Sequence, residues 1–175
     1  MFKPDPSALG QAVVFDVAGR SCALDLHCVV NVLRYSGATT IPGAPRGVHG
    51  VTSFEERPTL VADLAALFGF GSTTPTSRTC ILFIHSADDA GVFGVLADAV
   101  LGVIDARDRA PANVASCRIP SEFARLMIRS DRGEVPLLAT VALYQRLIGD
   151  STGESTGEST GESTAGEPAA QGVVS

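Results

Sequence analysis

Apolar side chains recur at every second position along much of this chain, which is the period of a pleated strand and not of a helix. Val13, Phe15 and Val17 alternate with Val14 and Asp16, and Cys22, Leu24 and Leu26 alternate with Ser21, Ala23 and Asp25. Gly19 lies between the two runs and takes the positive φ of a tight turn, so residues 13–26 read as a hairpin. A second apolar run, CILFIH at 80–85, is followed by an acidic turn at 87–91 and then by VFGVLADAVLGVID at 92–105. Asp88 and Asp89 read as turn chemistry rather than as a paired-carboxylate site. VPLLATV at 135–141, after the turn signal SDRGE, gives another strand. Helical signals are short. LAALF at 64–68 has Asp63 as an N-cap and ends before Gly69. SEFARLMIR at 121–129 reads as a second helix, with Arg125 and Arg129 four apart on a solvated face or in salt-dependent contact with an acidic partner. ALYQRLIG at 142–149 closes the fold. Many short strands at close spacing with few helices indicate a mainly β protein built as a small barrel or a pair of barrels.

Of the 175 residues, 45% are hydrophobic, enough for a core of the chain's own. No stretch approaches the roughly 20 continuous apolar residues of a membrane helix, and MFKPDPSALG lacks a signal peptide's apolar region. The expected location is therefore cytoplasmic, with the four cysteines reduced. They form no CxxC pair and no zinc spacing; Cys22 and Cys80 read as small core residues, and no metal or cofactor is expected. Residues 1–10 read as a loose lead-in, and 150–175 as a disordered acidic tail carrying repeats of STGE. That segment holds five carboxylates and no basic residue, so the net charge of −6 leaves about −1 on the rest. A near-neutral body lacks the basic surface that displaces counterions from phosphates, which argues against nucleic acid as a partner.

The residues do not assemble into an enzyme signature. His27, His49 and His85 each border an apolar strand, and there is no GxSxG elbow, phosphate loop or dinucleotide fingerprint. No cysteine sits at a helix start beside a positive neighbour.

A series of segments, in order along the chain, resembles a CheW-like domain. The hairpin QAVVFDVAGRSCALDL is similar to the family's first two strands, and CVVNVLRY at 28–35 stands where the family has valine-x-glutamate-isoleucine. IPGAPRGVHGV at 41–51 places Pro42, Ala44, Pro45, Gly50 and Val51 at the family's proline and glycine-valine positions, and LVADL at 60–64 matches a strand ending in aspartate-leucine. CILFIH with GVLADAVLGVID resembles the strand pair that contains a valine-aspartate, at Ala97-Asp98, and VALYQRL at 141–147 resembles the terminal helix. The likeness spans about 10–149.

This resemblance implies two intertwined five-stranded barrels similar to SH3 domains, with a hydrophobic groove between them. It implies a non-enzymatic adaptor that binds the cytoplasmic tip of a chemoreceptor and the regulatory domain of a CheA-type histidine kinase, and so sits at membrane-associated arrays through its partners without entering the membrane. The alternative is a divergent relative that has lost one partner and only pairs with other CheW-like domains. Val29 matches a groove position, Val32 reads as core, and Asn31 replaces the family's common glutamate. Where the family reads asparagine-leucine-arginine-glycine, this chain reads Ser53-Phe54-Glu55-Glu56, followed by Arg57. Val29, Asn31, Phe54, Glu55, Glu56 and Arg57 are thus the implied partner-binding residues. Glu55 reverses the sign of a partner-facing arginine, and Glu56 takes a glycine's place at a cost of roughly 1 kcal/mol or more if the turn keeps its positive φ.

Overall fold

Ala18 and Gly19 join the first two strands through a two-residue turn in which both residues are left-handed, at φ 50° and 72°. β1 (Gln11–Val17) and β2 (Arg20–Asp25) pair antiparallel, with Val17 opposite Arg20. Such a turn matches the natural twist of a hairpin but disfavours a residue with a Cβ. Asp98 holds Ala18 there: its Oδ2 accepts the Ala18 N–H at 2.7 Å, and its own N–H donates to the Asp16 carbonyl at 2.8 Å. The computed structural model describes residues 10–86, 91–111, 117–130 and 133–149. Asp88 and Asp89 of the expected acidic turn, almost all of the lead-in and the STGE tail lie outside these residues.

After a 3₁₀ turn at Leu26–Cys28 come β3 (Val29–Arg34), β4 (Val48–Phe54) and β5 (Arg57–Ala62). α1 (Leu64–Phe68) starts at Asp63, whose carboxylate accepts the Ala66 N–H, and ends at Gly69, as the sequence predicts. β6 (Cys80–His85), β7 (Val92–Ala97) and β8 (Ala99–Asp105) follow, then β9 (Arg109–Pro111), β10 (Ala124–Ser130), β11 (Gly133–Leu138) and α2 (Thr140–Gly149).

Two mixed sheets result, ordered β8-β1-β2-β11-β10-β9 and β3-β6-β7-β5-β4. β9 adds only three residues, so each sheet is essentially a five-stranded barrel wall. The chain begins in the first sheet, builds the second entirely from β3–β7, and returns to the first with β8. The opening hairpin therefore lies between strands from the far end of the sequence, which is what intertwines the barrels. Each sheet contains one parallel junction, β2 with β11 and β5 with β7. The second wall is closed by the segment after β3, where Thr39 and Val51 exchange backbone bonds of 2.8 Å in both directions.

Three apolar clusters explain the strand patterns. Val13, Phe15 and Val17 join Leu82, Ile84, Phe93 and Val95 in a core between the sheets, with Leu143 and Leu147 of α2 over it. The opposite faces fill the barrels: Ala12, Val14 and Ala23 with Ile128 and Val135 in one, Ile81, Phe83 and Leu96 with Val61 in the other. β1 and β6 are covered on both faces, so CILFIH carries no polar residue between Cys80 and His85.

Three expectations are corrected. Residues 121–129 do not form a helix: 124–130 are β10, paired with β9 and β11. Met127 and Ile128 are both buried, because β10 is covered on both faces; a continuous apolar triplet of this kind mimics helical spacing. Arg129 donates across the strand pair to Glu134 at 3.4 Å. The last strand ends at Leu138, and Thr140 and Val141 already belong to α2. Cys22 is fully buried, but Cys80, at the start of β6, is only partly so.

Candidate partner-binding surface

β3 forms the edge of its sheet, with β6 on one side and no described strand on the other. Its register against β6 slips between Val29 and Asn31, so Val30 forms a bulge that re-aims the side chains around it. Val29 remains half-buried and packs against the core between the sheets. Val32, expected in the core, is 38% exposed, because an edge strand lacks the neighbour that would cover it. Val30 at 38%, Leu33 at 43% and Ile41 at 41% extend the exposed apolar surface. Leu33, like Val32, reads as core in the sequence and is instead exposed; Val30 and Ile41 were not singled out, although Val30 shares the aliphatic character of VVNVL. Asn31 is exposed, and its Oδ1 accepts the Val32 N–H at 2.8 Å.

The second group of expected residues lies at the β4–β5 turn. Phe54 pairs with Arg57, and between them Glu55 and Glu56 both adopt left-handed conformations, φ 50° and 63°. This is the two-residue hairpin geometry that favours asparagine-glycine, here formed by two glutamates. Both carboxylates and Arg57 are exposed, and none of the three forms an ion pair among the described residues. Phe54, expected at the partner surface, points inward instead: it is 6% exposed and stacks on Phe83.

The six residues thus divide between an apolar edge and an acidic tip. β3 and β4 are the two ends of one sheet order, and barrel closure brings the segment following β3 against β4. Tyr35, directly after β3, spans the closure: its Oη lies 2.9 Å from His49 Nε2, with the rings edge-to-face. An open hollow of about 560 Å³ lies beside it, lined by Gly37, Thr39, Val51, Ser53, Glu56 and Pro58. Between the sheets, where the resemblance implies a groove, side chains are packed, with Val29 at the rim.

The other histidines have local roles. His27 Nδ1 lies 3.1 Å from Asp25 Oδ1, and His85 is exposed at the end of β6. Burial pushes the Cys22 thiol up to about 12, aided by Asp16 and Cys117, so it stays protonated at neutral pH. No described helix is long and apolar enough to cross a membrane.

Comparison with known proteins agrees with this geometry. A family model described as the CheW-like domain matches residues 11–146. The "Probable chemotaxis protein CheW" of Rhizobium etli is 24% identical over 136 residues, covering 77% of this chain and 86% of that protein. The crystal structure of the scaffolding protein TtCheW from Thermoanaerobacter tengcongensis superposes with a TM-score of 0.70 at 23% identity, covering 78% of this chain and 92% of that one.

Proposed function

The chain belongs to the CheW-like domain family, and from that premise we propose that it is a non-enzymatic adaptor coupling chemoreceptors to a CheA-type histidine kinase. The observation that carries this reading is the exposed apolar edge of β3, where Val30, Val32 and Leu33 lie uncovered together on one short strand. An apolar centre with a polar rim is what a protein-binding surface requires, since the desolvated centre supplies most of the energy. The β4–β5 tip supplies a second contact of opposite character, with two carboxylates beside Arg57. Through these contacts the protein works in the cytoplasm, at receptor arrays, without entering the membrane.

The departure at that tip favours one further reading. Glu55 stands where the resemblance implies an arginine, and setting like charge against like costs several kcal/mol at a desolvated contact but about 1 or less when exposed. In this second reading the chain has lost one partner and pairs only with other CheW-like domains.

Titration calorimetry against a receptor cytoplasmic tip, a kinase regulatory domain and a second CheW-like domain separates the two. Binding to both the receptor and the kinase is the expected result. Binding only to the CheW-like domain selects the second reading, and binding to none of the three rejects both. Glu55→Arg combined with Glu56→Gly tests the tip itself: it strengthens binding to a kinase or receptor from an ordinary chemotaxis system and weakens binding to a co-adapted one. No change beyond twofold, at low and high salt, removes the tip from the interface.

A further inference from the structure

Edge strands rich in β-branched residues recruit other strands unless something prevents it. Within VVNVL the first five residues of β3 carry no charge, and three of the four aliphatic side chains are more than a third exposed. The backbone of that edge is fixed by the pairing with β6. Tyr35 donates its N–H to the Thr79 carbonyl at 2.9 Å, immediately beyond the register pair Arg34–Cys80. Antiparallel pairs alternate between those that exchange hydrogen bonds and those that do not. Leu33 and Asn31, like Tyr35, therefore turn their backbone groups toward β6, whereas Val32 and Arg34 turn theirs outward. The Val32 N–H is the donor that an incoming strand would meet in the middle of the apolar stretch.

That donor is occupied. Asn31 Oδ1 accepts it at 2.8 Å, from a side chain that is itself exposed. The Val30 bulge interrupts regular pairing on the N-terminal side, and Arg34, whose guanidinium donates to the Ser77 carbonyl, places a cation at the C-terminal end. We propose that Asn31 is an edge guard: its carboxamide closes the outward backbone donor of β3 and keeps a second copy of this chain from adding its own β3 alongside. The surface is left open to partners that bring side chains to Val30, Val32 and Leu33, and closed to a partner that brings a strand. This inference stands on β3 alone and holds whether or not the adaptor reading does.

The test uses the full chain carrying Asn31→Ala, which removes the acceptor, and Asn31→Asp, which keeps it. Because Asn31 is exposed, neither change touches the core. At high dilution, amide exchange of Val32 is expected to be at least tenfold faster in Asn31→Ala than in wild type, and within threefold of wild type in Asn31→Asp. Sedimentation velocity is expected to show Asn31→Ala self-associating at a concentration at least tenfold below wild type, with the Val32 amide becoming protected in the associated form. Wild-type exchange in Asn31→Ala shows that the side-chain bond is not holding the donor and overturns the proposal. Faster exchange without association overturns the guarding role, and association that leaves the Val32 amide unprotected places the contact elsewhere, with the same consequence.

Discussion

Phe54 stacks on Phe83 across the interior of the second barrel, with ring centroids 4.1 Å apart and planes 15° from parallel. Their strands are not neighbours, since β7 and β5 separate β6 from β4 in the sheet order. Only the curvature of the wall lets the rings meet. The residue just before the acidic tip is therefore an anchor that holds the hairpin against the core. Phe54→Ala should cost about 3–5 kcal/mol, the range for removing a buried aromatic ring, in urea unfolding. A loss below about 1 kcal/mol would mean that the stack is not formed.

The tip itself stores strain. Glu55 and Glu56 both lie at positive φ, which costs a residue with a Cβ roughly 1–2 kcal/mol. Glu55→Asn with Glu56→Gly supplies the residues this turn favours and should raise stability by about 1–2 kcal/mol, less the small entropy that glycine adds to the unfolded chain. The thermal midpoint checks it; a lower midpoint would show that the glutamates make stabilising contacts.

Gly50 is required by a close approach. A Cβ added there would sit 2.4 Å from the carbonyl oxygen of Thr39, the oxygen that accepts the Val51 N–H. Gly50→Ala must push the closing segment off β4 and should destabilise by roughly 1–3 kcal/mol. Amide exchange at Val51 should quicken more than at Val61, which pairs with Gly50 from the other strand. Equal effects at the two sites would mean that the closure is unaffected.

This glycine illustrates how far the sequence could be read. Gly50 and Val51 were recognisable by position, and Asp63, Gly69 and the first hairpin by their local chemistry, because a cap or turn is decided within a few residues. Burial is decided by neighbours distant in sequence. Val32 and Ile84 look alike in the sequence, yet Ile84 lies between two strands and is fully buried while Val32 lies on an edge. Phe54 looked like part of the tip because its partner, Phe83, lies on a strand that local pattern cannot assign to it. The apparent helix at 121–129 failed for a related reason: a strand buried on both faces loses the alternation by which strands are recognised.

Cys22 makes stability fall in alkali. Its thiol is held up to about 12 in the fold, first by burial, against an ordinary value of 9.0. Above pH 9 the unfolded chain gives up this proton while the native protein keeps it, so the unfolded state is favoured as pH rises toward 12. Below pH 9 the contribution is complete. Each pH unit between the two values corresponds to roughly 1.4 kcal/mol at most. Cys22→Ala should lose stability at pH 7 through its cavity and then show a shallower decline between pH 9 and 11 than wild type. Parallel declines would assign the alkaline loss to other groups.

Val29 and Val32 separate packing from recognition on one strand. Val29 is half-buried against the core between the sheets, whereas Val32 is 38% exposed beside Leu82. An aspartate at 29 forces a carboxylate toward an apolar core, which costs several kcal/mol or makes the group take up a proton. An aspartate at 32 extends into water and should change stability by less than about 1 kcal/mol. If the β3 edge is the adaptor's apolar contact, Val32→Asp should weaken partner binding at least tenfold, about 1.4 kcal/mol, with a native circular dichroism spectrum. Val29→Asp should lower the unfolding midpoint whether or not a partner is present. Wild-type affinity in Val32→Asp would take the partner off this edge, and an unfolded Val32→Asp would show that Val32 belongs to the core after all.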